Sequence, residues 1–239
     1  MVEELADKRL VVVTGKGGVG KSTLAAALAM QSAREGLRTL VCEVNAKERI
    51  SQLLATHGID AIDAPMSGGP ARARDGSMSL MVACADAVFE RNRDLVEALS
   101  HKVFRVGTRP GDGARTKLVN NLLAGINLAG AAEAMAMARR MGLDLARTLE
   151  VIEQSSGQSW IGSDRMRRAI VGDYEPRAHM TLLQKDTRLA VEAARAAGFA
   201  GPLGAAARDV FTRAAESGLA ELDDAALFRY LSRSNRTIR

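Results

Sequence analysis

Leu10-Val11-Val12-Val13-Thr14-Gly15-Lys16-Gly17-Gly18-Val19-Gly20-Lys21-Ser22-Thr23 decides how this chain reads. A continuous apolar run of strand length (10–13) enters a glycine-rich turn, and an alanine-rich helical pattern leaves it over about 21–34, with Gly36 suited to the helix C-terminus. Gly15 through Ser22 satisfies G-x-x-x-x-G-K-S/T. Glycines let successive backbone N–H groups turn inward around a phosphate, where a Cβ would obstruct, and the helix adds its positive N-terminal end. On this reading Gly15, Lys16, Gly17, Gly18, Val19, Gly20, Lys21, Ser22 and Thr23 bind a phosphate or nucleotide. Lys21 reaches the terminal phosphates and the Ser22 hydroxyl takes a coordination site on Mg²⁺. The same letters contain Gly15-x-Gly17-x-x-Gly20, the dinucleotide fingerprint, with Glu43 ending the next strand. Gly20 to Glu43 is 23 residues, against ~20 for that fingerprint. Only the phosphate-loop pattern asks for Lys-Ser next, and it is preferred.

Outward from the loop, residues 38–44 read as the next strand and 47–56 as a second helix stopped at His57-Gly58. Residues 59–63 form a short strand running into Ala64-Pro65-Met66-Ser67-Gly68-Gly69, and 77–83 is another strand. The alternation predicts an α/β fold: a shortened P-loop or Rossmann-like, mostly parallel sheet flanked by helices, over 1–110. From about Asp112 the period changes. Leu118, Leu122, Ile126, Ala129, Met135 and Ala138 recur at helical spacing in a stretch of about 30 residues ending at Met141-Gly142-Leu143. Helical patterns follow over 144–155, 160–171, 180–197, 202–217 and 223–233, and no strand pattern survives beyond 107. Residues 111–239 are thus expected to be all-helical behind one long connecting helix.

The 239 residues suffice for one generous domain or two small ones; 47% hydrophobic and 26% charged residues permit a packed core, and 3% aromatics suit alanine-rich helices. No apolar run approaches the ~20 residues of a membrane span, and Met-Val-Glu-Glu-Leu at the N-terminus is acidic where a secretory signal is basic. Cys42 and Cys84 alone exclude a disulfide scaffold, so the expected location is cytoplasmic. The net charge of +5 is dispersed: 1–54 carries eight basic and six acidic residues, and Arg233, Arg236 and Arg239 sit in the tail. With no basic stripe interleaved with aromatics, neither nucleic acid nor a membrane is an expected partner. Trp160, the sole Trp, is expected in the core.

Residues of about 6–54 resemble the deviant Walker-A ATPases, the group of arsenite-pump and chromosome-partitioning ATPases, whose mark is the extra lysine (Lys16) in GKGGVGKST. The resemblance implies ATP with Mg²⁺, often at a dimer interface that Lys16 would reach across. That family also ends a hydrophobic strand in an Asp organising metal and water. Glu43 and Asp63 are the only candidates here, neither in matching surroundings, so phosphate binding is expected rather than hydrolysis.

From about Ala55 the chain resembles a second family, the 3-hydroxyisobutyrate dehydrogenases. Asp63-Ala-Pro-Met-Ser67-Gly68-Gly69 is similar to its substrate-binding DAPVSGG segment, Gly113-Ala-Arg-Thr-Lys117-Leu-Val-Asn120-Asn121 to its catalytic GxxxKxxNN segment, and Gln184-Lys185-Asp186 to its cofactor-side KD segment. The resemblance implies Lys117 and Asn121 as catalytic, Ser67, Gly68 and Gly69 as substrate-binding, and Lys185 and Asp186 on the cofactor side. The spacing agrees: Lys117 and Asn121 are four apart and share one helical face, and a partly desolvated lysine can move a proton to or from an oxygen as hydride moves. That family has a six-stranded dinucleotide sheet before this segment, whereas Gly20 to Asp63 is only 43 residues. The chain therefore reads as a deliberately built chimera, a P-loop β-α-β unit joined near 54–56 to the back of a dehydrogenase. Its expected function is binding of phosphate or of ATP with Mg²⁺, with little or no catalysis. The alternative is an NAD(P)-dependent 3-hydroxyacid dehydrogenase, and an ATPase ranks third; NAD(P) ranks below ATP as cofactor. A homodimer through the helical domain is expected, the shortened sheet leaving an open edge.

Overall fold

The computed structural model describes residues 21–37, 39 and 61–233. The expected strands 10–13 and 38–44, the helix 47–56, residues Gly15, Lys16, Gly17, Gly18, Val19 and Gly20, and the junction at 54–56 lie outside the described residues. The chain divides into two compact units between Lys117 and Leu118.

In the first unit, α1 (Lys21–Arg34) has the expected bounds, and Gly36 beyond it takes φ +83°. After it come β1 (Met66–Ser67), α2 (Gly69–Arg74), β2 (Ser79–Ala83), α3 (Asp86–Leu99) and β3 (Lys102–Gly107). β2 is a short apolar run that can satisfy its backbone only by pairing on both sides. It lies between β1, antiparallel, and β3, parallel. Leu80 and Val82 pack with Val88, Phe89 and Val96 of α3 and with Ile62, Ala64 and Val103. Thus α3 covers the sheet between two parallel strands, as a crossover helix does.

Of the strand expected over 59–63, residues 61–63 are described, and of these Asp63 alone pairs. Asp63 makes an isolated antiparallel bridge with Ala83, and the ladder resumes at Met66↔Leu80 and Ser67↔Ser79. Between them Met81 N–H donates to the Pro65 carbonyl at 3.0 Å, but proline has no N–H to return. Residues 63–67 are therefore one extended antiparallel partner of β2, interrupted at Pro65.

The helical pattern is realised closely. α4 (Asp112–Arg140) begins in the first unit and continues into the second, followed by α5 (Leu145–Glu153), α6 (Trp160–Ile170), α7 (Met180–Ala196), α8 (Pro202–Ala214) and α9 (Leu227–Arg233). Asp144 accepts from Arg147 N–H and Ser159 from Gly162 N–H, capping α5 and α6. The core gathers Leu128, Ala132 and Met135 of α4 with Met166, Met180, Phe211 and Phe228. Of the expected α4 stripe, Met135 and Ala138 are buried, whereas Leu118, Leu122, Ile126 and Ala129 are half-buried. Trp160 departs from expectation: at the first position of α6, beside the Ser159 cap, it is 51% exposed rather than in the core.

Under this core lies a buried ionic cluster. Asp223 Oδ2 accepts N–H from Arg177 (2.8 Å) and Ala178 (3.2 Å), and its Oδ1 accepts from Ala225 (3.0 Å). Arg168 Nη1 stands 3.0 Å from Asp223 Oδ1, and Arg165 Nε donates to Asp224 Oδ1 at 2.6 Å. Burial disfavours the Asp223 anion, but Arg168 and the three backbone N–H groups outweigh it and hold the carboxyl at about 2. Burial prevails at Asp224, whose carboxyl is raised to about 6 despite Arg165.

Candidate active site

In the first unit the segment from Asp63 to Gly69 runs beside the start of α4. Ser67 is half-buried at the end of β1, and Gly68 and Gly69 follow at φ +139° and +70°. Side chains rarely adopt those angles, so the Ser-Gly-Gly turn is a backbone shape that its sequence makes possible. A Cβ on Gly113 would stand 2.5 Å from the Met81 carbonyl oxygen and 2.9 Å from both Asp63 Oδ2 and Pro65 Cδ. Only glycine lets the first turn of α4 approach this closely. Asp63 Oδ2 accepts N–H from Gly111 at 2.9 Å and from Ala114 at 3.0 Å. Lys117, half-buried, lies one turn beyond Ala114.

In the second unit Asn121 Nδ2 donates to Asp186 Oδ2 at 2.9 Å, joining α4 to α7. An ionised carboxylate only accepts, which fixes the amide with its NH₂ toward Asp186. Asn121 Oδ1 accepts from Asn120 Nδ2 at 3.2 Å, and Lys185 Nζ lies 3.3 Å from Asp186 Oδ1. Two sequence motifs 65 residues apart thus meet: Asn121, Lys185 and Asp186 form one cluster, while Lys117 sits one turn earlier on the helix carrying Asn121. Ser67, Gly68 and Gly69 belong with Lys117 to the first unit. Lys21, Ser22 and Thr23 begin α1. Asn120 was not anticipated as the brace of Asn121, nor Asp63 as the acceptor of the α4 N–H groups; the Asn-Asn pair and the Asp-x-Pro run were the available signals.

An α/β unit followed by a helical unit, with a lysine and an asparagine one turn apart on the long helix that begins in the first and continues into the second, fits the dehydrogenase resemblance of the segments from Asp63 to Asp186. Comparison with known proteins agrees. The profile described as NAD-binding of NADP-dependent 3-hydroxyisobutyrate dehydrogenase matches residues 111–231, and that of the NAD binding domain of 6-phosphogluconate dehydrogenase matches 23–107. L-threonate dehydrogenase of Escherichia coli K12 is 34% identical over 232 residues, 96% of this chain and 77% of the relative. Its counterpart in Escherichia coli O6:H1 is 38% identical over 77% of this chain and 61% of its own length. The crystal structure of 3-hydroxyisobutyrate dehydrogenase from Salmonella typhimurium superposes with TM-score 0.72 at 35% identity, covering 77% of this chain and 64% of that one. The chain belongs to the 3-hydroxyisobutyrate dehydrogenase family. It spans 61% to 77% of the length of these relatives.

These findings correct the expectations built on the glycine loop. The NAD-binding match over 23–107 runs straight through 54–56, and the K12 relative aligns along nearly the whole chain. One family covers both sides of the supposed junction, so the chimera and its ATP- or phosphate-binding function are overturned. ATP with Mg²⁺ gives way to NAD(P) as the cofactor indicated by the matching profiles, and with it Ser22 loses its role toward Mg²⁺. The two readings share the plan of strand, glycine turn and helix: both fingerprints fall on the same glycines, and Lys21-Ser22, which only the phosphate-loop pattern asks for, occupies a first helical turn in either case. Among the described residues no group of three or more His, Cys, Asp or Glu could hold a metal ion, and no helix is long and apolar enough to cross a membrane.

Proposed function

We propose that the protein is an NAD(P)-dependent dehydrogenase of small 3-hydroxy acids. The observation that carries the reading is the Lys117–Asn121 pair on α4, with the Asn121 amide held by Asp186 and Asn120. The residues present suit the cofactor: α1 starts directly after Gly15-x-Gly17-x-x-Gly20, and its first turn carries no acid to oppose a diphosphate. The family's KD segment, matched by Lys185-Asp186, assigns Lys185 to the nicotinamide end of the cofactor. When bound, the nicotinamide supplies the hydride acceptor.

Every other task falls to side chains and backbone of this chain. Ser67 and the N–H groups of Gly68 and Gly69 bind the substrate carboxylate. The Lys117 amine takes the proton of the 3-hydroxyl as the carbon is oxidised and returns it in the reverse direction. Asn121 uses one N–H on Asp186 and has a second N–H for the reacting oxygen. We also infer a homodimer through the helical unit, supported by Val119 (70% exposed) and Leu123 (57%), one turn apart on α4.

The test is absorbance at 340 nm with NAD⁺ or NADP⁺ and a panel of 3-hydroxy acids that includes L-threonate. Turnover is expected for at least one acid, and Lys117→Ala should lower kcat by roughly 10²- to 10⁴-fold, the usual worth of a general acid–base group. Absence of turnover with every acid and both cofactors, or a Lys117→Ala enzyme as fast as the parent, would overturn the reading.

A further inference from the structure

Among the described residues, Asp63 is the one carboxylate that joins the segment bearing Ser67 to the helix bearing Lys117. Its backbone is bridged both ways to Ala83, N–H to carbonyl at 3.0 Å and carbonyl to N–H at 2.8 Å, so its position is fixed by the central strand. Its Oδ2 receives Gly111 N–H and Ala114 N–H across 48 and 51 residues of sequence. Those are N–H groups at the start of α4, which have no partner within the helix. Gly111 has no side chain to cap them, so the cap comes from another element. The close seat at Gly113 brings the same turn against Met81 and Pro65. Ala114 to Lys117 is three residues, about 4.5 Å of helix rise, so the direction in which Lys117 leaves the sheet is set within one turn of Asp63.

We propose that Asp63 is a positioning residue for Lys117: by capping α4 from the extended segment bridged to β2 it fixes the Lys117 amine relative to the Ser67-Gly68-Gly69 turn. The inference rests on the dehydrogenase reading given above for its effect on turnover, but not for its effect on Lys117. Asparagine at this place keeps an oxygen that can accept both N–H groups, whereas alanine keeps none. Asp63→Ala should therefore lower kcat by about 100-fold, the scale of a misplacement near 1 Å, with KM changing less than about threefold, and Asp63→Asn should stay within about threefold of the parent. In a Lys117→Ala background Asp63→Ala should cost nothing further, since no amine remains to be placed. An equal loss in both backgrounds, or an asparagine variant as impaired as the alanine one, overturns the proposal.

A second readout needs no turnover. Acylation of Lys117 by acetic anhydride, followed by peptide mass spectrometry on the full chain, should be at least about threefold faster in Asp63→Ala and unchanged in Asp63→Asn. Equal rates in parent, alanine and asparagine forms overturn the proposal, even if no hydroxy acid is turned over and the dehydrogenase reading has failed by itself. Should Asp63→Ala not fold, Gly113→Ala displaces the same turn from the other side. Faster acylation there supports the proposal, and an unchanged rate overturns it.

Discussion

Replacing Asp223 by alanine should weaken the helical unit by about 3–5 kcal/mol at pH 7, the range for removing one partner of a buried ion pair. The depressed carboxyl points the same way: it lies at about 2 in the folded chain against an ordinary 3.8, and at 1.36 kcal/mol per tenfold change in proton affinity the difference is worth about 2 kcal/mol. Removal also strands the N–H groups of Arg177, Ala178 and Ala225, and it leaves the buried Arg168 with only the longer contact to Asp164 at 3.6 Å. The sign follows from the depressed value: this stabilisation is fully present above 3.8 and is lost as pH falls through about 2. Urea unfolding of the full chain, followed by far-UV circular dichroism at pH 7, should show a midpoint lower by about 2 M for a slope near 2 kcal/mol/M. Repeated at pH 2.5, the gap between parent and variant should shrink, because the parent carboxyl is then largely protonated in the unfolded chain and partly in the folded one. A variant within 1 kcal/mol of the parent at pH 7, or a gap of the same size at both pH values, refutes the assignment of Asp223 as an ionised buried cap.

Asp224 responds in the opposite sense: with its carboxyl raised to about 6, its favourable contribution is present below 3.8 and is lost as pH rises through 6, so parent stability should fall between pH 5 and pH 8 in the same urea assay. Asp186→Ala frees the Asn121 amide and should lower kcat by about 10-fold or more with a smaller change in KM, measured from initial rates at 340 nm. Gly125→Ala presses a methyl into the buried Thr187 side chain and should cost about 1–3 kcal/mol, visible as a lower thermal midpoint with secondary structure retained. Val119→Asp combined with Leu123→Asp should convert the inferred dimer to a monomer by light scattering; a parent already monomeric defeats that inference.

The helical half was legible because each helix carries its own punctuation. Gly142 followed by Asp144, Ser159 before Trp160, and Gly201-Pro202 end or start helices by local chemistry that needs no tertiary information. The sheet was less legible. Ser77 to Ala83 is apolar enough to be a strand anywhere, but which neighbours it takes, and in which direction, depends on residues far away in sequence. The short strand expected over 59–63 therefore falls several residues before the segment that pairs with β2, 63–67, because an apolar run marks a strand while Pro65 decides where the ladder can close. Burial along α4 drifted for a related reason: apolar spacing alone does not reveal that Gly125 faces Thr187, while Leu122 lies against Gly204 and remains partly exposed.

The site divided along the same line. Lys117 and Asn121 could be placed together from spacing, since four residues on a helix is a geometric statement. The contact of Asn121 with Asp186 could not, because helices α4 and α7 meet only after the helical unit has packed. At the glycine loop local chemistry was informative but not discriminating: a phosphate of ATP and the diphosphate of a dinucleotide ask for the same inward N–H groups and the same helix end. What separates the two is which fold surrounds the loop. The lysine and asparagine on α4, the Ser-Gly-Gly turn and the carboxylate of Asp63 bear on that question more strongly than the loop itself, since the proposed dehydrogenase reading gives each a task and phosphoryl transfer gives them none.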